Sequence, residues 1–431
     1  MKPFSCDTMV ALGGATENGQ TLFAKNSDRP KDECQPLELR ERRRHTKSAR
    51  ARCQFLTIPQ AEETFQHVGS RPHWCWGYEH GFNEHQVVIG NEGLGSKFEF
   101  EEPKLIGMEL LRLGLERGRT AEEAVEVMTD LTSTHGQGKF NNAEGTRTYD
   151  NGYIVADPNE AYVIETAGHH WAVKEVSDNI GISNVYSVEE DYVRLSPDCR
   201  QIAEEQGWWD AGTESFSFAG AFSKASNRNE GSGAMRRARS CAVLNMKKGD
   251  IEARTMMDLL SDHSDGNYPD EPFKKDQGSK GGICVHTDEG VSAASLVADL
   301  CSDGSRLPIY WCSFYSPCLG VFFPIFIEGT LPEVLGVGES QESWRSPWWR
   351  FHKLAHLAAE DPEERIPALR QEWSGIQQQF FETAPLAARI GRELLDKDQD
   401  EAEAYLTEFM EESVNVVLDK SSQLLGQMTK L

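Results

Sequence analysis

Apolar runs too short to be helices come in adjacent pairs along the first two-thirds of this chain, and that pairing constrains its fold most. Residues 8–12 and 21–24 flank the glycine-rich segment Gly13-Gly14-Ala15-Thr16-Glu17-Asn18-Gly19 and predict a hairpin. Residues 153–156 and 161–165, on either side of Asp157-Pro158-Asn159-Glu160, predict another. Residues 86–90 form a further short apolar run. Residues 104–132 instead carry apolar side chains at helical spacing, among them Leu110, Leu111, Leu115, Val125 and Met128. That pattern breaks at Gly118-Arg119-Thr120 and restarts with a capping-box pair, Thr120 and Glu123. Residues 251–261 repeat the helical pattern, and 312–327 read as buried strand. Strand pairs interleaved with helix pairs, rather than strict alternation, argue against a doubly wound parallel sheet. They predict an α+β fold with antiparallel sheets and helices on the outside. After Glu328 the chain turns charged and amphipathic, which predicts a helical C-terminal region.

The net charge of −25 speaks against nucleic acid or an anionic membrane surface as a partner, since both call for basic patches. Much of the acid excess falls in helical stretches such as 396–412, a solubilising surface. No run approaches the ~20 apolar residues of a membrane span, and the N-terminus lacks the apolar core of a secretory signal. Ten scattered cysteines with no Cys-x-x-Cys pair, and no Asn-x-Ser/Thr acceptor, fit reduced thiols and a cytoplasmic location. His169-His170 has nothing at ligand spacing beside it, so neither metal nor cofactor is expected. No Gly-x-Ser-x-Gly, Walker or His-Glu-x-x-His motif is present.

Cys6, in MKPFSCDTMVAL, is the residue with the sharpest chemical reading. Leading into an apolar strand, it reads by position alone as core packing. Cleavage between Ser5 and Cys6 would instead put a thiol nucleophile and a free α-amine on one residue. The amine titrates at about 7.7–8.0 and the thiol at about 8.5, so a proton can pass between them without a separate histidine. Asp28, at the end of Lys25-Asn26-Ser27-Asp28, is a candidate to orient that amine. Lys25 and Arg29 flank it as candidates to lower the thiol's pKa or bind a substrate carboxylate, although the same residues are good turn chemistry. Trp74 and Trp76, beside Arg71-Pro72, are candidates for a recognition wall or for core. Asn91, after the strand at 86–90, could donate to an oxyanion; Asn184 is a second amide or a turn residue. Arg236, Arg237 and Arg239 read as a solvated helix face.

Taken in order, these segments resemble the secernin family, within the N-terminal-nucleophile cysteine dipeptidases of peptidase family C69. The resemblance rests on Cys6-Asp7-Thr8, Lys25-Asn26-Ser27-Asp28-Arg29-Pro30, Ser70-Arg71-Pro72, Trp76-Gly77, Asn83-Glu84, Gly90-Asn91-Glu92, His135-Gly136-Gln137-Gly138 and Gly207-Trp208-Trp209. It implies a four-layer αββα N-terminal-nucleophile hydrolase fold over residues 6–335, a propeptide of residues 1–5, and a helical region over 336–431. It implies autocatalytic cleavage at Ser5–Cys6, with Cys6 as nucleophile and base and Asp28 as its orienting carboxylate. Asn91 and Asn184 would serve the oxyanion and the amine, and Arg236 would lie near the nucleophile. The expected activity is hydrolysis of dipeptides or small peptides. An acylase cutting N-acyl amides and a non-catalytic regulatory protein are the alternatives, and homo-oligomerisation is left open. Two positions depart from the pattern. Lys25 stands where related acylases carry arginine, and Gln86 stands where secernins usually have glycine.

Overall fold

The computed structural model describes residues 6–99, 102–142, 145–213, 215–224, 231–264, 282–287 and 290–429. Ser5 and the rest of residues 1–5 lie outside the described residues. The first hairpin forms as the sequence predicts. Cys6–Ala11 pairs antiparallel with Leu22–Arg29, with Cys6 opposite Ser27 and Ala11 opposite Leu22. The outer edge of the first strand takes Asn179–Ile182, with Thr8 opposite Ile182. Val291–Asp299, Ile309–Phe314 and Phe323–Ile325 continue from the second strand to complete a six-stranded sheet.

The second sheet has eight strands and is built around Val88–Leu94, Asp150–Ala156 and Ala161–Ala167. Its outer face carries the helices Gly107–Arg117 and Ala121–His135. The junction between these helices is the one the sequence marks, and the Thr120 hydroxyl accepts the Glu123 N–H at 3.1 Å. Ser232–Met246 and Ala253–Leu260 cover the outer face of the six-stranded sheet. The layers therefore run helices, sheet, sheet, helices. Side-chain alternation shows why both faces must be apolar: Tyr310 stacks inward on Phe82 of the other sheet, and its neighbour Trp311 turns outward to Phe381.

Sandwiched between the other sheet and the helices, Cys6–Ala11 and Leu22–Arg29 are buried along their whole length. Yet they carry Asp7, Thr8, Lys25, Asn26, Ser27, Asp28 and Arg29. A buried central pair this polar is costly unless every group has a partner, and it marks where the fold serves chemistry. Gly181 sets the depth at which the helix Ser232–Met246 sits. A Cβ there would lie 2.1 Å from Ser240 Oγ, so only glycine lets the helix approach the strand beside Cys6.

The C-terminal helices Pro347–Glu360, Pro362–Leu395 and Gln399–Met428 pack on one another and on the strands Ile309–Phe314 and Phe323–Ile325. Trp348 Nε1 donates to the carbonyl of Ala293 at 2.7 Å, tying this region to the central sheet. No described helix is long and apolar enough to cross a membrane.

Gln86 has a physical account. It is not the start of a strand but the left-handed residue of the turn into Val88–Leu94, at φ +63°, a conformation glycine adopts without cost. Its side chain spans both backbone groups of Cys301, accepting from the N–H at 2.8 Å and donating to the carbonyl at 3.1 Å. Gln86→Ala keeps the strain and loses both bonds, so urea denaturation should show it destabilised by about 1–3 kcal/mol. Gln86→Gly loses the bonds but relieves the strain, and should cost less than the alanine variant.

Candidate active site

Cys6 is fixed by its backbone as much as by its side chain. Its N–H donates to Asn184 Oδ1 at 2.8 Å, and its carbonyl accepts from Arg236 Nη1 at 3.2 Å and from the Ser183 hydroxyl at 3.3 Å. The thiol lies at the end of the second strand, where the Asp28 N–H points at Sγ from 3.4 Å. Asn184, just beyond the strand Asn179–Ile182, is held in turn. Its Nδ2 donates to the carbonyl of Gly93 at 2.9 Å, and its Oδ1 also accepts from Arg236 Nη2 at 3.0 Å.

Arg236 is the hub. It comes from the helix Ser232–Met246 and reaches Asp7 Oδ2 at 2.6 Å while holding Cys6 and Asn184. Its Nη1 stands 4.0 Å from Asp28 Oδ2. Of the three arginines read as a solvated helix face, Arg236 is instead 1 % exposed, while Arg239 pairs with Asp262 at 2.6 Å. A solvated-face reading fails for Arg236 because the helix docks through this residue.

The surroundings of the thiol are acidic. Burial pushes Cys6 up to about 12; Lys25 opposes that rise, and Glu79, Asp28 and Glu92 add to it. Burial and the neighbouring Asp7 raise Asp28 to about 7 against the pull of Arg236 and a 2.6 Å bond from the Ser292 hydroxyl. Burial likewise raises Glu92 to about 7 although Lys25 Nζ stands 3.5 Å away and Thr8 bonds it. Asp28 Oδ2 has no hydrogen-bond partner among the described residues. A buried carboxylate oxygen without a hydrogen-bond partner can stabilise an added cation.

The other candidates fall at differing removes. Lys25 is fully buried, and its Nζ donates to the carbonyl of Asn26 at 2.9 Å besides facing Glu92. Arg29 pairs with Glu33 at 2.6 Å and Glu79 at 3.2 Å. The Asn91 amide lies between Asn151 Oδ1, at 3.1 Å, and the carbonyl and Oε2 of Glu79, at 2.9 and 3.0 Å once its nitrogen is turned that way. Trp74 packs in a small cluster with Met108 and Tyr149. Trp76 stacks under the Arg112 guanidinium, 3.9 Å from its ring centre, and belongs to the packing behind the second sheet. His169 and His170 diverge, the first to Lys104 and Ser133 and the second to Asp198. Sequence reasoning passed over Asp7, Glu79, Glu92 and Ser292 as site residues. Asp7 could have been found, because a charge at an otherwise apolar, buried strand position needs a partner.

The sequence matches the profile of peptidase family C69 over residues 5–254, more than half of the chain. The chain belongs to peptidase family C69. Solved structures similar to this family member include a mutant of conjugated bile acid hydrolase from Clostridium perfringens, at 11% identity and a TM-score of 0.40. That match covers 72% of this chain and 89% of the other. Penicillin V acylase from Agrobacterium tumefaciens is similar at 14% identity and a TM-score of 0.41, covering 74% and 86%. A Caenorhabditis elegans ortholog of N-acylethanolamine-hydrolyzing acid amidase is similar at 13% identity and 0.34, covering 68% and 92%.

For this C69 protein the Asp28 environment has a measurable consequence. A carboxyl whose folded pKa is raised from 3.8 to about 7 favours folding only while it stays protonated, so that contribution is lost as pH climbs from about 4 to about 7. Asp28→Asn, compared in a Cys6→Ala background, has no such loss. In urea denaturation its stability relative to the Cys6→Ala parent should rise between pH 4.5 and 7.5 and stay level above. A difference that does not change with pH would contradict the assigned environment.

Proposed function

We propose that this protein is a cysteine-type N-terminal-nucleophile hydrolase, a dipeptidase or small-peptide amidase of the secernin type, active once Cys6 has become its first residue. The observation that carries the reading is the double hold on Cys6. Its nitrogen rests on Asn184 and its sulfur receives the Asp28 N–H, while Asp28 Oδ2 is left without a hydrogen-bond partner among the described residues. An amide nitrogen has no use for a carboxylate at that place; an α-ammonium does.

Cleavage would begin with Cys6 Sγ attacking the Ser5 carbonyl carbon. The peptide C–N bond breaks as a thioester forms, and water then releases residues 1–5 as a carboxylate. The new α-ammonium stands a few ångströms from the sulfur. At an effective dielectric of 20, a unit charge ~4 Å away favours the thiolate by ~4 kcal/mol. That is enough to return a thiol held at about 12 to its ordinary range. Catalysis then follows the same chemistry on substrate. The thiolate attacks the amide carbonyl, the α-ammonium protonates the leaving amine, and the free α-amine activates water to hydrolyse the thioester. Asn184 and Asp28 orient the amine, Asn91 serves the oxyanion, and Arg236 is a positioning residue.

The charged neighbours of the thiol favour peptides over fatty acyl amides. Lys25, Glu79, Asp28 and Glu92 are the groups whose charges act on it, and a zwitterionic substrate suits them better than an alkyl chain. Trp76, a candidate for a recognition wall that could hold an acyl group, is engaged by Arg112. Dipeptides should therefore be hydrolysed with kcat/KM at least tenfold above matched N-acyl amino acids, and Cys6→Ala should abolish both activities. A preference for acyl amides would overturn the peptidase reading while leaving the nucleophile in place. Asn91→Ala should lower kcat by about 10²–10³ if it serves the oxyanion.

A further inference from the structure

Four side chains that the site does not use meet on the far side of Asp28. His263 follows the helix Ala253–Leu260, Cys284 and His286 lie in the segment 282–287, and Cys318 lies in the short turn Pro317–Leu319. All four are buried, and one ligand atom from each lies within 4.8 Å of every other. Both histidines turn Nε2 to the centre, 3.1 Å apart, with ring planes at 75°. Two Zn–N bonds of about 2.0–2.1 Å at the tetrahedral angle would place those nitrogens about 3.3 Å apart.

We propose that His263, Cys284, His286 and Cys318 bind a structural zinc ion. Two thiolates and two imidazoles form a closed tetrahedral set that suits zinc and leaves no position open for substrate. A disulfide between Cys284 and Cys318 would account for the sulfurs but not for two histidines aimed at the same point, and all ten cysteines are free. His286 also lines a cleft of about 300 Å³ with Lys31, Tyr315, Leu319 and His356, a route by which an ion could arrive.

The cluster is close to the reactive cysteine through the backbone. Val285, between the two ligands, donates its N–H to the Ser292 hydroxyl at 3.0 Å, and its carbonyl accepts from the Ser292 N–H at 2.7 Å. Ser292 in turn donates to Asp28 Oδ1 at 2.6 Å. Zinc would therefore fix the segment that orients Asp28. Metal binding itself does not depend on the hydrolase reading. The sequence does not point to these ligands, because Cys284-Val285-His286 has one residue between its ligands and the other two lie about twenty and thirty positions away. The structure here departs from the expectation of no metal, which rests on His169-His170.

Elemental analysis of the full-length protein purified from zinc-supplemented medium without chelator tests this. About one zinc per chain is expected, with X-ray absorption reporting two sulfur and two nitrogen ligands. Cys284→Ser/Cys318→Ser should fall below a tenth of that. If this variant does not fold, the wild-type protein supplies the test: stripping zinc should lower its melting temperature and zinc, but not magnesium, should restore it. Cobalt(II) in place of zinc should show a thiolate charge-transfer band. Wild-type protein with less than a tenth of a zinc per chain after reconstitution, an unchanged content in the variant, or a Cys284–Cys318 disulfide in non-reducing peptide maps would overturn the proposal.

Discussion

The interaction on which this structure depends is the grip of the Arg236 guanidinium on Cys6, Asp7 and Asn184. It joins three pieces of chain at least 52 positions apart: the first strand, the residue that follows Asn179–Ile182 and Ser183, and the helix outside the sheet. A buried cation is tolerated only when its donors are matched, and here a carboxylate, a carbonyl and an amide oxygen match them. Removing the arginine would leave Asp7 buried and unpaired, which typically costs about 3–5 kcal/mol. The same grip sets where the nitrogen and carbonyl of Cys6 point. Stability and chemistry therefore rest on one side chain.

Around that hub the protein keeps more carboxylates than it can comfortably neutralise. Asp28 and Glu92 are held at about 7 by burial, and Glu79 is also raised. In a chain still carrying residues 1–5 this is a strained arrangement, and the thiol is kept protonated by it. An α-ammonium at Cys6 would relieve the acid excess and favour the thiolate in one step. The buried acids thus make physical sense as a site prepared for a charge that the uncut chain lacks.

Local signals in the sequence carried far. The hairpin of the first two strands, the helix break at Thr120, the hairpin turning at Asp157 and the helical C-terminal region all follow from patterns local in the chain. Cys6, Asp28 and Asn184 were legible because each stands at a strand end, and the structure brings them together. What was not legible depends on partners hundreds of residues apart. Arg236 reads as a solvated face from its own segment, and only the resemblance puts it near the nucleophile; its contacts come from a helix docked at Gly181, with Asp7 229 positions away. Glu79 and Glu92 sit in strands or turns whose burial follows only from stacking one sheet on the other. The His/Cys cluster gathers three separate segments, a geometry that spacing alone does not disclose. Gln86 shows the reverse case: the sequence marked the departure from glycine, and the backbone angle explained it.

The catalytic reading turns on Cys6 being the first residue of the working protein. The mass of the intact purified enzyme measures that directly. A chain beginning at Cys6, lacking residues 1–5, is the predicted result, with the uncut mass retained in Cys6→Ala. An active protein whose mass still includes residues 1–5 would contradict the account.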